Sequence, residues 1–340
     1  MKKHNYTFYF ILLFFTLFFT IVLNVSLGSV NIPFKDVLLS FLGDEDGNKS
    51  WFYIVRNFRF PKALTAIMVG SGLSVSGLLM QTLFRNPLAG PFVLGVSSGA
   101  SLGVAILVLG ASFLGLSTFV YSSIGVAIAS SLGAFIVLLA VMIVAQRVRN
   151  TMSILIIGLM FGSLTSAIIS VLAYFSSAEQ LQQYMFWSFG NLGNLSWNEL
   201  LIFFIIYLIG MLLILLIIKP LNTLLLGENY AKSLGVNIKK TRNITLVVTA
   251  LLTGIITAFS GPIAFVGLAV PHLAKMIFNS SNHKILLPAT AIIGAIVMLL
   301  SDIISQLPNS EFTLPINAIT SLFGAPIVIW LLIRKTKVVL

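Results

Sequence analysis

Long apolar runs separated by short polar breaks dominate this chain. The first run covers residues 8–23, and further runs fall at about 61–82, 91–111, 118–146, 152–176, 196–218, 243–260, 263–279, 285–304 and 315–333. Each is close to the roughly 20 residues a helix needs to cross the hydrocarbon core of a bilayer. The first run follows a short basic start (Lys2, Lys3), as in a signal peptide, but no A-x-A cleavage site comes after it, so a retained first helix is expected. Residues 28–61 read as the longest polar loop and hold Asp44, Glu45 and Asp46. Residues 179–190 read as a short helix outside the membrane or at its rim.

Composition sharpens this pattern. Of 340 residues, 58% are hydrophobic and 9% charged, whereas soluble domains are about half apolar and a quarter charged. The fold class expected is an all-α polytopic membrane protein, one transmembrane domain over residues 1–340 with about ten spans. The absence of cysteine excludes disulfides, a thiol nucleophile and thiolate metal sites. The formal charge of +11 follows membrane orientation. With a cytoplasmic amino terminus, 15 of the 20 basic residues face inward, leaving Lys35, Lys49, Arg56, Arg59 and Lys62 outside. This is the positive-inside bias, and it places both termini in the cytoplasm. No basic patch interleaved with aromatics points to nucleic acid.

An ion-coupled carrier needs ionisable groups at membrane depth, and here they are scarce. Asp302 lies near one helix end, where it reads as a capped or rim-exposed carboxylate; His272 and Lys275 lie near another. Energy for uphill transport would then come from another subunit. Small residues are dense (Gly70, Gly72, Gly77, Gly95, Gly99, Gly103, Gly158, Gly162), which suits close helix packing in lipid. Two stretches, QTLFRNPLAGP at 81–91 and SGPIAFVGLAVPH at 260–272, place Gly and Pro breaks inside apolar sequence. Paired breaks of this kind point to a translocation path or a repeat interface. The internal loop 219–242 reads KPLNTLLLGENYAKSLGVNIKKTR. Leu221, Leu224 and Leu225 can share a helical face, Gly227 stops that helix, and a second short helix over 228–234 ends at Gly235. Such a pair is either a lever for a cytosolic partner or a plain linker.

Several blocks in order carry a resemblance: RNFRFPKAL, SGLLMQTLFRNPLAGPFVLGVSSGA, FWSFGNL, LLLGENYAKSLGVN, GPIAFVGLAVPHLAK and SDIISQLP with LPINAITSLFGAPIVIWLL. Over about four fifths of its length the chain resembles the FecCD-type permeases, membrane subunits of type II ABC importers for iron-siderophores, haem and cobalamin. The resemblance implies ten helices per subunit, a second permease subunit, a cytosolic ATPase dimer that binds ATP and Mg, and an extracytoplasmic substrate-binding (lipo)protein. It implies that Gly227, Glu228, Ala231, Leu234 and Gly235 couple to the ATPase, and that Arg56 and Arg59 receive carboxylates of the binding protein. Planar guanidinium forks suit that role. Thr151 and Ser153, at the inner start of the fifth span, are candidate gate residues. Where the family often has Arg after the late Asp, this chain has Gln306, and Gly90 stands for the usual Asp of NPLADP.

No G-x-x-x-x-G-K-[ST] motif occurs, so no nucleotide or other cofactor is expected on this chain. Nor is any enzymatic site, since paired carboxylates and metal-ligand clusters are missing from the pattern. The function expected is import of a ferric siderophore across a bacterial cytoplasmic membrane, with haem or cobalamin as alternatives and an ion-coupled carrier as the rival class. Many Ile, Asn, Lys and Phe with few Arg point to a Gram-positive host.

Overall fold

A computed structural model of the protein describes residues 6–28, 30, 32–42, 49–110, 123–148, 151–193, 195–307 and 312–333. The acidic run 44–46 and several of the basic residues assigned to the inside (Lys2, Lys3, Arg149, Arg334, Lys335, Lys337) lie outside them. Among the described residues every regular element is a helix.

The first span is α1, Tyr6–Ser26. The segment expected to be one long polar loop instead forms an amphipathic helix, α2 (Phe34–Leu42), and the first part of α3 (Lys49–Phe84). Buried Val37 shows why α2 folds: its apolar side has a surface to cover. α3 is continuous, but a π turn at Val55–Arg59 shifts the register of its lower part. After a break come a 3-10 turn, Pro91–Leu94, and the short helix α4, Val96–Val108. Then follow α5 (Ser123–Gln146), α6 (Thr151–Tyr174) and α7 (Ala178–Ser188). A reciprocal capping box between Ser177 and Gln180 starts α7.

The second half contains α8 (Trp197–Leu215), α9 (Ile218–Leu224), α10 (Glu228–Ser233) and α11 (Ile238–Ser260). It ends with α12 (Val266–Phe278), α13 (His283–Ser305) and α14 (Ile316–Ile333). Among the described residues α1, α3, α5, α6, α8, α11 and α13 are long and apolar enough to cross a membrane, and α4, α12 and α14 carry shorter apolar helices. Together they are the ten apolar helices that the hydropathy pattern predicts. α4 and α12 are short because part of each apolar run is spent in the break before it. Both breaks are real, at residues 85–95 and 261–265, and each turns through positive φ (Arg85 +47°, Gly95 +69°, Gly261 +72°, Phe265 +64°). Pro271 is not a break: α12 continues through it.

The chain gathers into two compact units. One comprises residues 1–75, 191–205 and 264–339; in it α13 packs on α1, α12 and α14. The other comprises residues 76–190 and 206–263, with α4 packed on α5, α6 and α11. Contact in each is backbone to backbone. A Cβ added at Gly103 on α4 would sit 2.0 Å from the Ala129 carbonyl oxygen on α5, and one at Gly133 would sit 2.1 Å from that of Gly99. In the first unit a Cβ at Gly70 would meet the Gly294 carbonyl oxygen at 2.2 Å. Glycine at these positions lets helices approach without the hydrophobic drive that water supplies to soluble proteins.

Candidate functional site

The segment 219–242 folds as the expected pair of short helices. Leu221 and Leu224 of α9 are buried, which seats that helix. Gly227 then turns with φ +117°, a conformation that a side chain would strain. α10 opens with Glu228 and carries Lys232 in its last turn, an order that matches the helix dipole. Its end is a Schellman closure: Gly235 has φ +81°, its N–H donates to the Lys232 carbonyl at 2.9 Å, and the Val236 N–H donates to the Ala231 carbonyl at 3.0 Å. Of the five residues assigned to coupling, Ala231 is fully buried and anchors α10, while Glu228, Leu234 and Gly235 are exposed and Gly227 is half-buried.

Beside Leu234, which is 57% exposed, the helix pair exposes two apolar side chains not assigned to coupling, Leu226 and Tyr230, at 64% and 55%. The signal was present as a four-residue spacing that skips the buried Leu221, Leu224 and Ala231. All three stay exposed beside the buried Leu221, Leu224 and Ala231 that seat the pair.

A second cluster lies at the end assigned to the outside by charge. Asp302 is neither a cap nor a rim carboxylate: it is 1% exposed. Its Oδ1 lies 3.0 Å from Lys62 Nζ, and its Oδ2 accepts from Asn24 Nδ2 at 2.9 Å and Gln306 Nε2 at 2.7 Å. A carboxylate removed from water requires such partners. Gln306 therefore folds back onto Asp302, and the cation that balances the carboxylate comes from Lys62.

The two arginines expected to dock the binding protein part company. Arg59 is buried, and its guanidinium donates to the Val25 and Ser26 carbonyls, both at 2.8 Å, and to the Val30 carbonyl. It closes the end of α1 and the chain after it, and so does not face outward. Arg56 is exposed, with its guanidinium carbon 5.8 Å from the Phe52 ring centroid. The π turn separates them: the local register points one arginine inward and leaves the other in solvent. Of the candidate gate residues, Ser153 is half-buried in the first turn of α6, and the Thr151 side chain lies outside the described residues.

Only two carboxylates, Glu199 and Asp302, fall in the helices that can cross a membrane. Glu199 closes a capping box at the start of α8, where its Oε2 accepts from the Ser196 N–H at 2.8 Å and from the Ser196 hydroxyl at 2.7 Å. Both are thus engaged in structure. Among the described residues no cluster of three or more His, Asp or Glu could hold a metal ion.

Among the described residues, ten apolar helices with an exposed pair of short helices define a polytopic membrane protein. The FecCD transport family model matches residues 16–334, and the chain belongs to that family. It is a permease subunit of an ABC importer of this class, a polytopic protein of the cytoplasmic membrane. The chain is 36% identical to the hemin transport system permease HmuU of Yersinia pestis, over 92% of this chain and 93% of that one. It is 36% identical to the vitamin B12 import permease BtuC of Salmonella paratyphi A, over 83% of this chain and 84% of that one. A solved ABC transporter described as metal-chelate type, in an inward-facing conformation, matches with a TM-score of 0.82 and 31% identity over 98% of this chain.

Proposed function

We propose that this subunit imports an iron chelate, with a ferric siderophore as the first substrate, using ATP hydrolysed by a separate cytosolic ATPase dimer. A second permease subunit, identical or related, completes the path, and an extracytoplasmic binding protein delivers the ligand. Both termini are cytoplasmic in this arrangement. The observation that supports an energy source outside this chain is the engagement of Asp302 with Lys62 and of Glu199 with Ser196 described above. α9 and α10, with exposed Leu226, Tyr230 and Leu234, are the surface that would seat in the ATPase. Exposed Arg56, rather than buried Arg59, would receive the binding protein.

Haem is the second reading, favoured by the 36% identity to a hemin permease across nearly the whole chain. The test is uptake by a strain lacking this gene, with and without plasmid rescue, of iron-labelled hydroxamate and catecholate siderophores, haem and cobalamin. Loss and rescue of a siderophore supports the first reading. Loss confined to haem or cobalamin replaces it, and uptake abolished by an uncoupler with ATP maintained would return the ion-coupled class.

A further inference from the structure

α3 ends at Phe84 with a Schellman closure of its own. The Asn86 N–H donates to the Gln81 carbonyl at 3.2 Å and the Arg85 N–H to the Thr82 carbonyl at 3.4 Å. Arg85 therefore holds the left-handed position, φ +47°, that this motif normally gives to glycine. A non-glycine residue is disfavoured there, so its retention asks what the side chain does. The guanidinium reaches across 139 residues of sequence and donates to the Leu224 carbonyl, the last residue of α9. A Cβ at Gly227, the turn between α9 and α10, would lie 3.6 Å from the same guanidinium nitrogen. The Leu224 carbonyl also accepts from the Gly227 N–H at 3.1 Å, and a cation at a helix carboxyl end is favourable.

On the other side of Arg85 the chain is a compact, self-bonded turn. The Leu88 N–H donates to Asn86 Oδ1 at 2.9 Å, and the Ala89 N–H donates to the Asn86 carbonyl at 3.0 Å. Ala89 and Gly90 are buried, and Pro91–Leu94 leads directly into α4. Residues 85–95 thus form a compact turn that leads from Arg85 into α4.

We propose that Arg85 is the positioning residue that ties the helix pair α9–α10 to the interruption between α3 and α4, so that movement of the pair is delivered to residues 85–95. This deepens the coupling role proposed above and rests on it. The guanidinium is the joint: it binds a main-chain oxygen, so it follows the turn of the pair whatever side chains the pair presents to the ATPase.

The test uses the assembled transporter, with permease, ATPase and loaded binding protein in proteoliposomes, and reads substrate imported per ATP hydrolysed. Arg85→Gly is the informative variant, because glycine suits the local backbone and removes only the tether. Assembly and ATP hydrolysis should be kept while import per ATP falls about tenfold or more, the size of a typical coupling free energy. Arg85→Lys, which keeps one cationic donor without the planar fork, should fall between the two. Glu228→Arg is measured in parallel. If Glu228→Arg uncouples the transporter and Arg85→Gly imports normally, the tether is overturned and the coupling surface stands. If Glu228→Arg imports normally, the coupling surface itself is overturned. Loss of assembly and ATP hydrolysis together in Arg85→Gly would make Arg85 a purely structural residue and overturn the tether.

Discussion

Lys62 and Asp302 show how a few ionisable side chains are used in a chain this apolar. They lie on α3 and α13, with Asn24 of α1 completing the contact, so one buried charge joins three helices. Lys62→Met should leave the buried Asp302 carboxylate without its balancing cation. Removing one partner of a buried pair costs about 3–5 kcal/mol, so the thermal midpoint of the purified protein should fall clearly. Lys62→Met combined with Asp302→Leu should regain most of that loss, because apolar groups of similar size replace a buried pair at little cost. A double variant no more stable than Lys62→Met would refute this account. Neither partner announces the contact in the sequence: Asp302 near a helix end has the look of a cap, and Lys62 of an exterior lysine. A contact between residues so far apart along the chain leaves no local periodicity to read.

At the scale of elements, spans were legible because hydropathy is a local property and ten apolar runs are hard to miss. Break positions were legible too, since Gly and Pro mark them in NPLAGP and SGP. What was not legible is which glycines face a neighbour. Gly103 and Gly162 look alike in sequence, yet a Cβ at Gly103 would meet the Ala129 backbone oxygen at 2.0 Å, and one at Gly162 only the Ser98 hydroxyl oxygen at 3.3 Å. A backbone oxygen cannot swing aside, whereas a serine side chain can rotate. Gly103→Ala should therefore destabilise the α4–α5 contact by about 1–3 kcal/mol, as overpacking does, and Gly162→Ala should cost markedly less. Thermal midpoints of the two variants, compared with the parent protein, check the order; equal losses would count against it.

For the whole molecule the useful predictions concern its partners. Glu228→Arg reverses charge on an exposed face at the start of α10 without touching the buried anchors Leu221, Leu224 and Ala231. The protein should insert and assemble, hydrolyse ATP with its ATPase and import little. Arg56→Glu should raise the binding-protein concentration needed for half-maximal uptake about tenfold, since rim charges act chiefly on encounter, and should leave stability unchanged. Arg59→Glu should do the reverse. It removes the guanidinium from the Val25, Ser26 and Val30 carbonyls, so loss of folded protein should come before any effect on docking. Uptake titrated against binding protein, beside a measure of folded protein, separates the two arginines. A common phenotype would refute the distinction.

By itself the sequence determined the membrane class, the ten apolar helices, the places where two of them break and the shape of the α9–α10 pair. These depend on hydropathy, on Gly and Pro, and on capping patterns, all of which act within a turn or two of the chain. Only the tertiary structure decided that Arg59 turns inward while Arg56 stays in solvent, that Asp302 is buried against Lys62, and that Arg85 reaches the end of α9. Each of these depends on where a distant carbonyl or charge comes to rest. In an apolar bundle the few polar groups are held by whatever partner packing brings within reach.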